Sequence, residues 1–219
     1  MKSFAQNKQD IDVLNFYDFK RNGTFIEIGA NDGICLSNTY LLEKKYGWKG
    51  ICVEPIPDVF LKLKQNRNCV CIEKAVYKET DSEIDFMIHS NSLLSGKPDQ
   101  IIDCYKTVIG DLIKVNTITV NDLITQNNFP NNIDYISIDT EGTELDILNT
   151  IDFNKFIFGV IIIEHNYQSE KREEIRSLLT KNSYIFAKEN RCDDYYVHSS
   201  LQNFIPNFEK ERKFFWNLR

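Results

Sequence analysis

An apolar, β-prone run from Thr24 to Ile28 breaks into the pattern Glu27-x-Gly29-x-Asn31-x-Gly33, with Asp32 inside the turn. The next such run, Gly50 to Val53, ends on an acidic residue, Glu54. A strand that breaks at glycine and resumes as a helix is the first turn of an open α/β sheet. Ligands of such sheets bind outside the carboxyl ends of the strands. Glu54, at the end of the second strand, is placed to accept hydrogen bonds from a ribose diol. A dinucleotide turn needs G-x-G-x-x-G so that backbone N–H groups can approach a pyrophosphate. Here Asn31 interrupts that spacing, and Glu27 and Asp32 make the turn unfriendly to phosphate. Acidic flanks suit a ligand with a cationic amine and a sulfonium. S-adenosylmethionine has both, carries adenosine and lacks phosphate. Taken alone, the glycines also fit tight packing of helix against strand.

Two more strand-like runs end on polar groups. Ile133 to Ile138 leads into Asp139, and Phe158 to Ile163 leads into Glu164-His165-Asn166. Parallel strands bring their carboxyl ends to one edge, so Glu54, Asp139 and Glu164-His165 are expected around one cleft. Asp139-Thr140-Glu141-Gly142-Thr143-Glu144 is an acidic cluster at that edge. Asp139 also fits a helix cap, and Glu141 and Glu144 also fit a helix N-terminus.

The elements that must hold these groups follow from periodicity. Helices are predicted over residues 8–21, from Ser37 to Tyr46, from Pro57, from about Thr143, and over 168–180. Strands are predicted at 24–28, 50–53, 69–72, 133–138 and 158–163, with closing strands at 183–187 and 195–198. Between 83 and 118 the regular alternation loosens into an insertion expected to shape a substrate mouth, with strands read at Glu83 to Ile88 and Lys114 to Thr119 and an apolar stretch near Ile101 to Tyr105. The fold class is α/β: a doubly wound, mostly parallel sheet with helices on both faces, forming a single domain over 1–219.

Composition narrows the function. Net charge is −6 without a concentrated basic surface, which argues against nucleic acid as partner. No run of about 18 apolar residues is present for a membrane span. The first residues lack the apolar core of a signal peptide, so a cytoplasmic protein is expected. Six cysteines without Cys-x-x-Cys spacing read as reduced thiols acting as small hydrophobes.

Several motifs in order carry a family resemblance. They are Ser3-x-x-Gln6-Asn7-x-Gln9-Asp10, Phe25 to Gly33, Ser37-Asn38-Thr39, Gly47 to Pro55, and Ile133 to Glu144. Over residues 3 to 166 the chain resembles the FkbM family of S-adenosylmethionine-dependent O-methyltransferases. The resemblance implies a class I methyltransferase (Rossmann-like) fold and methyl transfer to a hydroxyl of a sugar or glycan. A polyketide-type or other small natural product is the alternative acceptor. It also implies action with, or fusion to, glycosyltransferase domains. Residues 167–219 match little, and acceptor specificity is expected there.

On this resemblance Glu27 and Gly29 lie near the methionine part of the cofactor, with Asn31 and Ser37 adding contacts and Glu54 holding the ribose. Lys74 and Ala75 are expected near adenine, and Gln9 is expected to close over the cofactor. A sugar hydroxyl needs a base or metal to remove its proton. His165 is the first candidate base by its ordinary pKa, and Asp139 the second. Alternatively, Asp139, Glu164 and Asn166 offer oxygen ligands to Mg²⁺, resembling metal-dependent O-methyltransferases. Tyr195, Tyr196 and Phe214 to Trp216 are candidate sugar platforms, with core packing as the alternative. His89, Ser92 and Ser95 are further candidates to reach a polar acceptor. A nicotinamide-dependent oxidoreductase and a non-catalytic cofactor-binding module remain the competing readings.

Overall fold

Short apolar runs alternating with amphipathic stretches favour a sheet built by helical crossovers. The computed structural model describes residues 1–90, 92–100 and 110–209. Helix α1 (Gln9–Phe16) precedes β1 (Thr24–Ile28), α2 (Tyr40–Tyr46), β2 (Lys49–Val53), α3 (Pro57–Asn66) and β3 (Val70–Ile72). The insertion supplies β4 (Ala75–Val76), β5 (Glu83–Ile88) and β6 (Asp111–Ile118), and then α4 (Val120–Gln126). The alternation resumes with β7 (Asn132–Ile138), α5 (Glu144–Leu148), β8 (Ile157–Glu164) and α6 (Ser169–Lys181). Strands β9 (Tyr184–Asn190) and β10 (Asp193–His198) and a 3₁₀ helix, Ser199–Glu209, close the described chain.

The main sheet runs β3-β2-β1-β7-β8-β10-β9, with β10 antiparallel to both neighbours. From β1 the chain winds outward through β2 and β3, then returns to place β7 and β8 on the other side of β1. The order reverses between β1 and β7, where a crevice must open at the carboxyl ends. Alternate residues of each strand feed opposite layers. Ile26, Ile28, Ile136 and Ile161 pack under α4, α5 and α6, while Phe25, Tyr135, Val160 and Ile162 pack under α1, α2 and α3. Strand β8, buried on both faces, is the continuous apolar run of the sequence. Among the described residues no helix is long and apolar enough to cross a membrane.

Three differences from the sequence reading have physical causes. Helix α1 stops at Phe16 because Asp18 and Phe19 take left-handed φ values of 51° and 59°. Helix α2 starts three residues after Ser37, whose hydroxyl accepts the Tyr40 N–H while donating to Glu27. The strands read in the insertion do not stand apart: with the short β4 they form a second sheet, β4-β6-β5, packed through Phe86, Val115 and Ala75 on Ile56 and Val59. Tyr195 and Tyr196 are fully buried core residues, so these two are not platforms. The stretch Ile101 to Tyr105 and the residues Phe214 to Trp216 lie outside the described residues.

Candidate active site

The crevice at the β1–β7 reversal holds two adjoining chambers that share Gly29, Asn31, Asp139 and Glu141. Gly29 has φ 82°, and a Cβ there would lie 1.9 Å from the Asp139 carbonyl oxygen. Only glycine lets the first turn sit this close to the end of β7. Asn31 takes φ 47°, a left-handed value that asparagine tolerates.

The first chamber lies against the ends of β1, β2 and β7, at Ile28, Val53 and Asp139. Its walls include Glu54, Lys74, Ala75, Tyr77 and Phe86, so the second sheet forms one side. Glu54 Oε2 accepts the Asn31 N–H at 3.0 Å and Oε1 accepts the Ile56 N–H at 2.9 Å. Each carboxylate oxygen has a second acceptor position, which leaves two for a diol. Burial pushes the Glu54 carboxyl up to about 7, against those two N–H groups, which lower it. Lys74 lines the chamber while its Nζ pairs with Asp81 at 2.6 Å. Asn31 Nδ2 donates to the Ser92 hydroxyl at 3.0 Å, tying a 3₁₀ turn, Ser92–Leu94, across the opening. Ser95 is turned to its own loop, where its hydroxyl accepts the His89 N–H.

Beneath the glycine turn lies a buried ion-pair network. Glu27 accepts from the Ser37 hydroxyl, the Asn38 N–H, the Thr39 hydroxyl and Arg67 Nη1. Arg67 also donates to Glu43 at 2.6 Å and to the Thr39 hydroxyl oxygen at 2.8 Å. Glu27 and Ser37 border the second chamber, yet their polar groups are spent on this anchor. Arg67, just past the end of α3, carried no signal in the sequence reading.

The second chamber is acidic. Oxygens of Asp139, Glu141 and Glu164 all lie within 4.8 Å of one another. Asn166 Nδ2 donates to Glu164 at 2.6 Å and to Glu141 at 3.3 Å. Burial and the neighbouring Glu164 hold the Asp139 carboxyl well above the usual range. Burial and Asp139 push Glu141 up to about 8, and burial and Glu141 push Glu164 up to about 7. Three carboxyl groups so close cannot all be ionised without a counter-charge. Glu141 reaches the cluster through a left-handed φ of 55°. Glu144 instead locks the turn: its Oε1 accepts from the Thr140 and Gly142 N–H groups and the Thr140 hydroxyl. Asn166 presents its nitrogen to the carboxylates, so Glu141 replaces it in the oxygen-ligand set read from sequence.

The N-terminal segment walls the same chamber. Gln9 Nε2 and Asn7 Nδ2 donate to Asp193 Oδ2 at 2.8 and 3.0 Å, and Gln9 Oε1 accepts the Asn7 N–H. Asp10, next to Gln9, holds the preceding loop by accepting the Phe4 N–H and the Ser3 hydroxyl proton.

His165 is placed differently from its neighbours. It lines neither chamber. Its Nδ1 accepts the Tyr167 N–H at 3.0 Å, and its Nε2 lies 3.8 Å from Asp194 on the α6 side. Burial, with Arg172 nearby, lowers its pKa. The reason is strand alternation: Glu164 points into the cleft, so its neighbour turns away. His165 instead fixes the left-handed turn at Asn166 and Tyr167, φ 45° and 58°, that aims the Asn166 amide at the carboxylates.

The profile of the methyltransferase FkbM domain matches residues 27–186. No curated protein matches the chain. Among solved structures it is similar to precorrin-6y C5,15-methyltransferase from Geobacter metallireducens, at 10% identity over 88% of this chain and 86% of that chain, TM-score 0.45. It is also similar to a SAM-dependent methyltransferase from Aquifex aeolicus, at 12% identity over 86% of this chain and 88% of that chain, TM-score 0.42. A third similar structure is TrmK of M. capricolum in complex with S-adenosyl-homocysteine, at 14% identity over 84% of this chain and 65% of that chain, TM-score 0.41.

Proposed function

The chain belongs to the methyltransferase FkbM domain family, a SAM-dependent methyltransferase on an α/β fold, and we propose that it methylates a hydroxyl of a sugar or glycan. S-adenosylmethionine is the methyl donor; when bound it supplies an electrophilic methyl group on a sulfonium. The observation that carries the reading is the junction of the Glu54 chamber with the carboxylate chamber at Gly29.

The residues present fit this cofactor. Glu54 offers two free acceptor positions to the ribose hydroxyls. Lys74 and Ala75 border the adenine side, and Gly29 leaves room for close approach. Gln9, Asn31, Glu27 and Ser37 border the methionine side, Glu27 and Ser37 by shaping the turn rather than by free polar atoms. In the second chamber Asp139 is the general base: it stands next to Gly29, and burial beside Glu164 strengthens its hold on the proton it takes. Glu141 and Glu164 spread the captured proton. The walls offer mostly hydrogen-bond acceptors, which suits a polyhydroxylated, neutral acceptor better than an anionic nucleic acid. A glycosyltransferase acting on the same glycan is the expected partner.

A second reading has its own observation. The three carboxylates could hold a divalent cation, which takes oxygen ligands. Such a cation would supply the missing counter-charge and acidify the hydroxyl. Turnover that survives a chelator removes this reading; loss restored by Mg²⁺ replaces the general base.

The first test is calorimetric titration with S-adenosylmethionine, S-adenosylhomocysteine and NAD, then a screen for methyl transfer to saccharides and to polyketide-type alcohols. Binding of the first two with transfer to saccharides is expected. Transfer only to polyketide-type alcohols would overturn the acceptor class, and binding of NAD alone would overturn the cofactor.

Glu54 provides a pH signature. The diol needs the carboxylate, and this carboxyl holds its proton up to about pH 7. Affinity for S-adenosylhomocysteine should be flat above that pH and fall as pH drops through it, because binding must then expel a proton. Glu54→Gln should weaken binding by about 10-fold or more, the cost of two hydrogen bonds to a charged group, and flatten the profile. An unchanged profile in the variant would remove Glu54 from the ribose.

A further inference from the structure

One cluster lies outside both chambers. Cys52 in β2 and Cys69, just before β3, have their sulfurs 3.5 Å apart. Cys71, on the same edge strand, lies with its Sγ 3.6 Å from the Cys69 carbonyl oxygen. The two thiols of the closer pair are unequal. Cys52 is fully buried, while Cys69 is half-buried just before the outermost strand of the sheet. The adjoining Cys52 and Cys71 thiols, with Arg67 nearby, hold the Cys69 sulfur below the usual thiol range. A thiolate is the reactive form toward peroxides.

We propose that Cys69 and Cys52 are a peroxide-reactive pair that closes to a disulfide and thereby loosens the cofactor turn. The Cys69 thiolate attacks one oxygen of hydrogen peroxide, forming S–OH and releasing hydroxide. The Cys52 sulfur then attacks the Cys69 sulfur, forming S–S. The departing hydroxide takes the Cys52 proton and leaves as water. Two thiols are oxidised by two electrons in all, and one peroxide is reduced to two waters once the first hydroxide takes up the proton that Cys69 gave up in forming its thiolate. The sulfurs must approach by about 1.5 Å to reach disulfide length. The edge strand can supply that movement, since β3 pairs on one side only and Cys69 precedes its first paired residue, Val70.

The consequence for the site follows from what the pair touches. Cys52 Sγ lies 3.6 Å from Glu27 Oε2. Arg67, two residues before Cys69, holds Glu27, Thr39 and Glu43. Drawing Cys69 inward shifts Arg67 against Glu27, directly under the glycine turn. The effect on binding rests on the S-adenosylmethionine reading; formation of the bond does not.

The test uses the whole chain, reduced and then treated with hydrogen peroxide. Peptide mapping after alkylation reads the bond, and calorimetry with S-adenosylhomocysteine reads its effect. The expected result is a Cys52–Cys69 linked peptide and an affinity loss of about tenfold, reversed by dithiothreitol. Cys69→Ser should abolish both, Cys71→Ser should abolish neither, and Cys52→Ala should leave a sulfenic acid on Cys69 that dimedone traps. Oxidation confined to Cys35, Cys104 or Cys192, or a Cys69–Cys71 link, would overturn the pairing. A Cys52–Cys69 link with unchanged affinity would overturn the regulatory half. If the reduced protein does not bind S-adenosylhomocysteine, the cofactor reading fails while the linked peptide still decides the pairing.

Discussion

Arg67→Met should cost about 3–5 kcal/mol of folding stability, the range for removing one partner of a buried ion pair. The Arg67 side chain is fully buried, and its guanidinium reaches Glu27 at 3.1 Å, Glu43 at 2.6 Å and the Gly33 carbonyl oxygen at 3.3 Å. It also packs within 6 Å of the Phe25 and Tyr40 ring centres. Methionine fills similar space but leaves Glu27 buried with one charged donor fewer and Glu43 facing an apolar chain. The melting temperature of a domain this size should fall by roughly 6–20 °C. Urea unfolding of Arg67→Met, Glu27→Gln and the double variant checks it. The double variant should regain part of the loss, because it also removes one stranded charge. A single-variant loss below about 1 kcal/mol would mean that Arg67 is not what holds the turn.

Asp139→Asn should slow methyl transfer by about 10²–10⁴-fold, the usual contribution of a general base. The amide keeps the shape of the side chain, and the backbone contact at Gly29 involves the main-chain carbonyl, so cofactor affinity should stay within about threefold. His165→Asn should slow transfer less than tenfold, since its ring faces Asp194 rather than the cleft. Stopped-flow single-turnover rates, read beside binding constants, separate the two. If Asp139→Asn keeps its rate and His165→Asn loses it, the base assignment reverses.

The sheet was readable from the sequence because its strands are short apolar runs that end at glycine or at a charge. The reading of Thr24 to Ile28 coincides with β1, and Phe158 to Ile163 lies within β8. The second sheet was only half readable. Glu83 to Ile88 alternates visibly, whereas Ala75-Val76 is too short to carry a period, and its pairing with Thr117 and Ile118 is non-local. In the site, strand-end position was enough to gather Glu54, Asp139 and Glu164. It could not say which of two consecutive residues faces the cleft, because a shift of one residue reverses the face. That ambiguity separates Glu164 from His165. Glu27 was read as a ligand contact because nothing in the sequence reveals Arg67 beneath it. A lone arginine after a helix looks the same in sequence whether it is solvated or buried.

The Asp193 carboxylate that grips Asn7 and Gln9 has a meaning for biosynthesis. The glycine turn and Glu54 leave the ribosome early, and the carboxylate cluster follows once Glu164 has emerged. The wall formed by Asn7 and Gln9 has no anchor until Asp193 and the start of β10 have also appeared. A nascent chain can therefore present the glycine turn and Glu54 long before the wall of the second chamber is held in place. The second chamber gains that wall only when translation has passed the strand that joins the beginning of the chain to its far side.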